Sequence, residues 1–502
     1  MMPIESPMPH FDNSYARLPE RFYARVSPTA VAAPRLVKLN TELAERLGFA
    51  GLATDELAEI LSGNRVAAGS EPLAMAYAGH QFGYFVRQLG DGRANLLGEV
   101  IGSDGLRYDV QLKGAGRTPF SRNGDGRAML AAVLREYIVS EAMAALGVPT
   151  TRALAVVTTG QSVLRETALP GAVLTRVAAS HLRVGTFQYF LGKEDLDGIR
   201  TLAEYTIARH YPEAATATRR YRALLDGVIA RQARLVAQWM LLGFIHGVMN
   251  TDNTSISGET IDYGPCAFLE AYDPQAVFSS IDQQGRYSYS NQPHALHWNL
   301  TRLAETLLPL LVEEEGSDEA GMASAHEALQ GFGVHYEAAR DAGMRQKLGL
   351  TTEHKGDAAL GEELLQCMAE NRADYTLTFR RLCDAAAGSA IAEDAGTRSL
   401  FAKPAAFDAW ERRWRQRLGM EATLPAERAA AMRRVNPLLI PRNHQVEFAL
   451  QAATQRMDFQ PFEELVAALS RPFDDADGRP GSERFVTPAR PEERVLQTFC
   501  GT

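Results

Sequence analysis

Between Ala94 and Lys113 the chain reads as two strands joined by a turn, and this pair constrains the fold of everything before residue 180. In "RYDVQLK", Tyr108, Val110 and Leu112 alternate with Arg107, Asp109, Gln111 and Lys113. Strand side chains point to opposite faces in turn. The three apolar residues therefore face a core, and Lys113 is expected on the polar face, away from it. Ser103-Asp104-Gly105 supplies the hairpin turn ahead of this strand. The period then changes. "DGRAMLAAVLREYIVSEAMAALGVP" reads as a helix, with Asp125 as N-cap, Gly147 as the stop and Pro149 as a block beyond it. "TTRALAVVTTG" and "GAVLTRVA" return to strand, and "TRRYRALLDGVIARQARLVAQWMLLGF" is one long helix. After about residue 296 the pattern is almost wholly helical, ending in an irregular stretch rich in Pro, Gly and charge. Residues 15–65 are expected to be a helical approach segment that includes "PRLVKLNTELAERLGF". The expected class is α+β, with a β-rich first lobe, a helical second lobe and a helical extension.

A chain of 502 residues allows two to four domains. Its net charge of −9 argues against wrapping nucleic acid by bulk charge, though not against a local phosphate pocket. Cys266, Cys367, Cys383 and Cys500 form no CxxC pair, which argues against a zinc site or a disulfide framework and fits a reducing compartment. The N-terminus lacks the basic and apolar regions of a signal peptide. The most apolar helical run, "VAQWMLLGFIHGVMN", is too short and too interrupted to span a bilayer. A cytoplasmic protein without membrane or nucleic-acid partners is expected, and a monomer.

The tetrad Gly90-Asp91-Gly92-Arg93 returns at Gly124-Asp125-Gly126-Arg127, once before a strand and once before a helix. The differing periodicities exclude a structural repeat. Phosphate chemistry asks for a glycine loop that lets backbone N–H groups approach oxygens, a lysine, a carboxylate that fixes it, and hard-oxygen metal ligands. Gly90 and Gly92, then Lys113, then Glu136, then "HGVMNTDN" and "DYGP" come in that order. It is the order of a protein kinase, so a kinase-like two-lobed fold is expected. "HGVMNTDN" matches HRDxxxxN without gaps, with His246 and Asn253 in the His and Asn places, and Asp262 falls where the DFG aspartate belongs. One departure matters: the catalytic Asp of that pattern is here Val248, which cannot accept a proton. The nearest acid is Asp252, directly before Asn253.

Taken with "MAYAGHQFG", "QLKGAGRTPFSRNGDGRA", "REYIVSEAM" and "LTRVAASHLRVGTF", these segments resemble the selenoprotein O (SelO) family of protein adenylyltransferases. The resemblance implies a kinase-like fold that binds ATP in a flipped orientation and transfers AMP to Ser, Thr or Tyr hydroxyls of proteins, the enzyme itself included. It implies boundaries at 1–70 for an N-terminal extension, 71–180 and 181–315 for the two lobes, and 316–502 for the helical extension. Gly90, Gly92 and Arg93 match its glycine-loop contacts, Lys113 its phosphate lysine and Glu136 that lysine's partner. Asp125 and Gly126 match a second nucleotide-contacting turn, and Arg176 and Arg183 the arginines of the inverted phosphate tail. Asn253 and Asp262 match its ligands for Mg²⁺ or Mn²⁺, and Asp252 its catalytic base. Cys500 stands third from the end, where eukaryotic members carry selenocysteine, and is a candidate redox residue.

Other nucleotide patterns are missing. There is no GxxxxGK(S/T), no intact GxGxxG, no HPFxxGNGR and no HExxH. Three rival readings stand beside AMP transfer: transfer of another nucleotide such as UMP, a true kinase using Asp252, and a nucleotide-binding pseudokinase scaffold.

Overall fold

The computed structural model describes residues 9–388, 395–475 and 483–499; Cys500 lies outside them. The first half is built on one antiparallel sheet. Its strands are β1 (Tyr23–Arg25), β2 (Arg35–Leu39), β3 (Leu73–Met75), β6 (Ala94–Ile101), β7 (Arg107–Lys113), β8 (Ala128–Met129), β9 (Arg152–Leu164) and β10 (Ala168–Ala178). The order across the sheet is β1-β3-β6-β7-β10-β9-β2, with β8 pairing β10 off this path. A separate two-stranded hairpin, β4 (Gly79–Gln81) and β5 (Tyr84–Val86), projects from it.

The β6–β7 hairpin forms as its alternation predicts, with Gly105 at φ 76° in the turn. The face each side chain takes is the point of interest. Val110 and Leu112 pack with Leu97, Val157 and Val173 under helices α1 (Thr41–Leu47) and α2 (Thr54–Ser62). The polar set, expected to point away from the core, is itself buried: Asp109, Gln111 and Lys113 are 2%, 0% and 9% exposed. The opposite face of the sheet is covered by α3 (Leu130–Ala145), so a polar face here means a cleft face rather than a solvent face.

Two local expectations are corrected. The stretch "PRLVKLN" is not helical; Arg35–Leu39 pairs with β9 at the sheet edge, and the helix begins only at Thr41, capped by Asn40 accepting from the Leu43 N–H. Helix α3 starts at Leu130, not after Asp125, because Ala128–Met129 first pair with β10. Asp125 instead accepts from the Arg127 N–H at 2.9 Å and caps nothing. The end of α3 is as expected, with Gly147 left-handed at φ 80°.

The second half is helical. Helices α4 (Val184–Leu191), α5 (Leu196–His210), α6 (Arg220–Leu242), α7 (Gln292–Glu315) and α8 (Asp318–Lys347) enclose one continuous apolar core that includes Leu225, Trp239, Leu300 and Leu307. Further helices follow, α9 (Asp357–Asn371) and α10 (Tyr375–Ala387) among them. The last long ones, Asn443–Arg456 and Gln460–Leu469, return to the first half and pack on the outer face of α3 through Val446, Leu450, Phe462 and Leu465. The whole is the two-lobed, kinase-like arrangement that the element order implies. Among the described residues, no helix is long and apolar enough to cross a membrane.

The two halves are riveted by buried ion pairs. Arg209 of α5 donates to Glu99 of β6 at 2.9 Å and to Asp109 of β7 at 2.6 Å. His181, in the crossing segment after β10, contacts the same Asp109.

Candidate active site

A cavity of about 700 Å³ opens between the sheet and the helices. Both GDGR turns line it, and the same loop explains why both are glycine-rich. Residues 115–127 fold back over the first turn, Thr118 Oγ1 donating to the Asp91 carbonyl and Ser121 Oγ to that of Gly92. A Cβ on Gly92 would stand 2.8 Å from the Phe120 carbonyl oxygen. Gly126 is left-handed at φ 70°, and a Cβ there would run into Gly116 at 2.1 Å. The two aspartates then diverge. Asp91 is buried and accepts from the Met75 N–H and Gln111 Nε2, each at 3.1 Å, tying the turn to β3 and β7; burial raises its pKa. Asp125 is exposed and pairs with Arg165.

Lys113 ends β7 facing the cavity. Its ammonium donates to Glu136 Oε2 at 2.5 Å and also to Asp262. Glu136 sits mid-helix on α3, behind the cavity wall, and its other oxygen accepts from Arg176 Nη1 at 3.2 Å. Arg176, on β10, also donates to Gln111 Oε1 at 2.6 Å. Asp262 is left-handed at φ 70°, a conformation aspartate tolerates better than most side chains. Lys113 and Arg176 hold its carboxylate well below the usual range against the opposing effect of burial.

Arg183 begins α4. Its Nη1 donates to the Asp252 carbonyl at 3.0 Å and its Nε to that of His181 at 3.2 Å. The guanidinium lies 4.3 Å from the centre of the Tyr77 ring. Its Nη2 is buried without a hydrogen bond, the Asp91 Oδ1 lying 4.0 Å away, and so can still donate to an anion. Asp252 lies on a short 3₁₀ turn, Thr251–Asn253. Burial pushes its pKa up to about 6, with Arg183 pulling the other way. Gln81 Nε2 donates to its Oδ2 at 3.3 Å, and Oδ1 is buried with no partner. Val248 lines the same cavity and brings no proton acceptor. His246 is structural: its Nε2 lies 2.9 Å from the Ile261 carbonyl oxygen, joining the two loops.

Gly90, Gly92, Arg93, Lys113, Asp125, Gly126, Arg176, Arg183, Asp252, Asn253 and Asp262 thus all line one cavity, with Glu136 directly behind it. As metal donors, Asn253 and Asp262 fit a hard divalent ion in kind. Asn253 commits its nitrogen to the Val248 carbonyl at 3.0 Å, which leaves its amide oxygen as the donor, in the same cavity as the Asp262 carboxylate. Among the described residues no cluster of three or more His, Cys, Asp or Glu could hold a metal by itself. An ion here would therefore complete its shell from phosphate and water.

Sequence reasoning missed Tyr77, Gln81, Asn250, Arg122, Arg127 and Arg165, which also line the cavity. Two signals were available. Arg127 ends the second GDGR as Arg93 ends the first, and Tyr77 and Gln81 are two of the three polar-tipped members of "MAYAGHQFG", with His80.

The family model described as protein adenylyltransferase SelO matches residues 8–470. A protein nucleotidyltransferase YdiU from Bradyrhizobium sp. (strain ORS 278) is 60% identical over 494 residues, covering 98% of this chain and 99% of the relative. One of the same name from Methylorubrum populi (strain ATCC BAA-705 / NCIMB 13946 / BJ001) is 62% identical over 498 residues, again covering 98% and 99%.

Proposed function

The chain belongs to the SelO family, and from that membership we propose that it transfers AMP from ATP to Ser, Thr or Tyr hydroxyls of proteins and releases pyrophosphate. Nucleotidyl transfer to protein is the activity its relatives are named for. The finer reading is carried by one observation. The cavity sets Lys113, Arg176 and Arg183 together, while the kinase base position is Val248 and the neighbouring acid Asp252 has, among the described residues, no hydrogen-bond partner on its buried Oδ1.

In the flipped orientation Lys113, Arg176 and Arg183 hold the β- and γ-phosphates, and the α-phosphorus faces the acceptor. Asp252 takes the proton of the acceptor hydroxyl. The oxygen forms its bond to the α-phosphorus as the bond to the bridging oxygen breaks, and pyrophosphate leaves with that electron pair. Mg²⁺ or Mn²⁺ held by Asn253 and Asp262 would draw charge off the phosphate oxygens. Glu136 keeps Lys113 and Arg176 in place, and such fixed charges supply most of the rate in reactions of this kind.

The test is transfer of label from ATP marked at the α- or the γ-phosphate, with Mg²⁺, to this protein and to a cell extract. Label from the α position alone is expected, and Asp252→Ala should abolish it while ATP still binds. Label from γ alone would make the protein a kinase. Label from neither, with tight ATP binding, would make it a scaffold. More efficient transfer from α-labelled UTP would change the donor to UTP.

A further inference from the structure

The β4–β5 hairpin does two things at once. Its first strand and turn grip the loop that carries Asp252: the His80 N–H donates to Thr251 Oγ1 at 2.7 Å, the Phe82 N–H to Asn250 Oδ1 at 3.0 Å, and Gln81 reaches Asp252 itself. Past that turn, β5 presents an aromatic tip: Tyr84, 80% exposed, and Phe85, 40% exposed.

Beside the tip stands a cationic stack. The Arg286 and Arg302 guanidinium groups lie 4.7 and 4.9 Å from the centre of the Trp298 ring. Trp298 meets His80 edge-on at 5.2 Å, and His80 meets Phe85 at 4.8 Å. Arg302 has an acidic neighbour, Glu305, at 2.8 Å. Arg286 has none: among the described residues no carboxylate pairs with its guanidinium, and its Nε is buried without a partner. Asp282, the nearest acid in sequence, spends its oxygens on the backbone N–H groups of Arg286 and Tyr287 at 3.0 and 2.8 Å. In a chain of net charge −9, an arginine with no carboxylate partner, set over an indole and beside the hairpin whose Gln81 and Phe82 line the cavity, is a place where an outside anion can bind.

We propose that the β4–β5 tip and the Arg286–Trp298–Arg302 stack form the docking surface for the acceptor protein, and that they select a segment with an Asp or Glu close to the hydroxyl to be modified. The aromatic tip covers the apolar part of that segment, and Arg286 takes its carboxylate. This rests on the reading that the acceptor is a protein hydroxyl.

The test compares synthetic acceptor peptides whose Ser, Thr or Tyr is flanked by Asp and Glu, by Ala, or by Lys. The readout is kcat/KM for label from α-labelled ATP. The full-length protein is used, beside its Arg286→Ala and Arg286→Glu forms. Acidic peptides should lead, by about tenfold over the lysine set. Arg286→Ala should erase most of that lead, and Arg286→Glu should turn it toward the lysine peptides. ATP affinity should stay unchanged in both variants, which separates docking from damage to the cleft. No acidic preference in the parent protein, or a preference untouched in Arg286→Glu, overturns the proposal. So does inhibition of transfer by a single-stranded oligonucleotide but not by an acidic competitor peptide. Absence of α-label transfer to every peptide and every extract protein overturns the functional reading, and this proposal with it.

Discussion

Gly79 stands against Asp252 with no room for a side chain: a Cβ built on Gly79 would lie 2.6 Å from Asp252 Oδ1. The contact pins the carboxylate between the hairpin and Gly185, whose own Cβ would meet the Ala78 carbonyl at 2.2 Å and the Asp252 Cα at 3.3 Å. Gly79→Ala should therefore push the carboxylate aside without touching the phosphate cations. Displacing a reacting group by about 1 Å costs on the order of a hundredfold in rate. The expected outcome is a fall in kcat of ten- to a hundredfold with ATP affinity retained, read by single-turnover transfer and by equilibrium nucleotide binding. A loss of ATP affinity to match would place the damage elsewhere.

Glu136 holds two cations, Lys113 and Arg176, so its effects should not add to theirs. Glu136→Gln keeps the shape and removes the charge that orders both. It should lower kcat/KM for ATP by about ten- to a hundredfold. Combined with Lys113→Ala it should cost clearly less than the product of the two single losses, because residues in one network couple by about 0.5–3 kcal/mol. Losses that multiply would show that Glu136 acts independently of Lys113.

The order of elements was legible because it rests on period and spacing, whereas the place of Arg176, Arg183, Asp125 and Gly126 in the site followed only from the family resemblance. Alternation in Arg107–Lys113 marks a strand whatever surrounds it. Turn glycines and the fixed interval from His246 to Asn253 survive without knowledge of packing. What was not legible depended on distant partners. The polar face of β7 reads as solvent-facing until α3 and Arg209 are known to cover it. "RLVKL" reads as helix because its edge pairing is with β9, more than 100 residues later. Asp125 has every local mark of an N-cap, yet the pairing of Ala128–Met129 with β10 delays the helix. Arg286 carries no sequence signal, since its interest lies in the carboxylate it lacks.

Arg209 should be worth more to stability than an ordinary surface arginine. It joins Glu99 and Asp109, both nearly fully buried, across the two halves of the molecule. Arg209→Met leaves two acids buried with much of their compensation gone. Breaking a buried pair from one side costs about 3–5 kcal/mol. Urea unfolding should show a midpoint lowered to match. A loss under 1 kcal/mol would mean that Arg107, which also pairs with Glu99, and the His181 hydrogen bonds to Asp109 already compensate these acids.

Lys347, at the end of α8, offers the converse case. Its ammonium lies 4.2 Å from the centre of the Phe379 ring, in a site formed with Tyr375 and Cys383, and burial pulls its pKa down to about 7 from an ordinary 10.5. A folded pKa below the unfolded value means that the unfolded chain binds the proton more tightly. Stability from this group is therefore lowest below pH 7, recovers as pH rises from 7 toward 10.5, and is unaffected beyond. Lys347→Met fills the site with an uncharged chain of similar length. It should stabilise the protein at pH 7 by about 1–3 kcal/mol, less than the full pKa difference because the ring face already returns part of the cost. The gain should shrink steadily when Tm of parent and variant is compared from pH 7 to pH 10. A gain constant with pH would show that Lys347 is buried without a titration cost, and that packing alone distinguishes the two side chains.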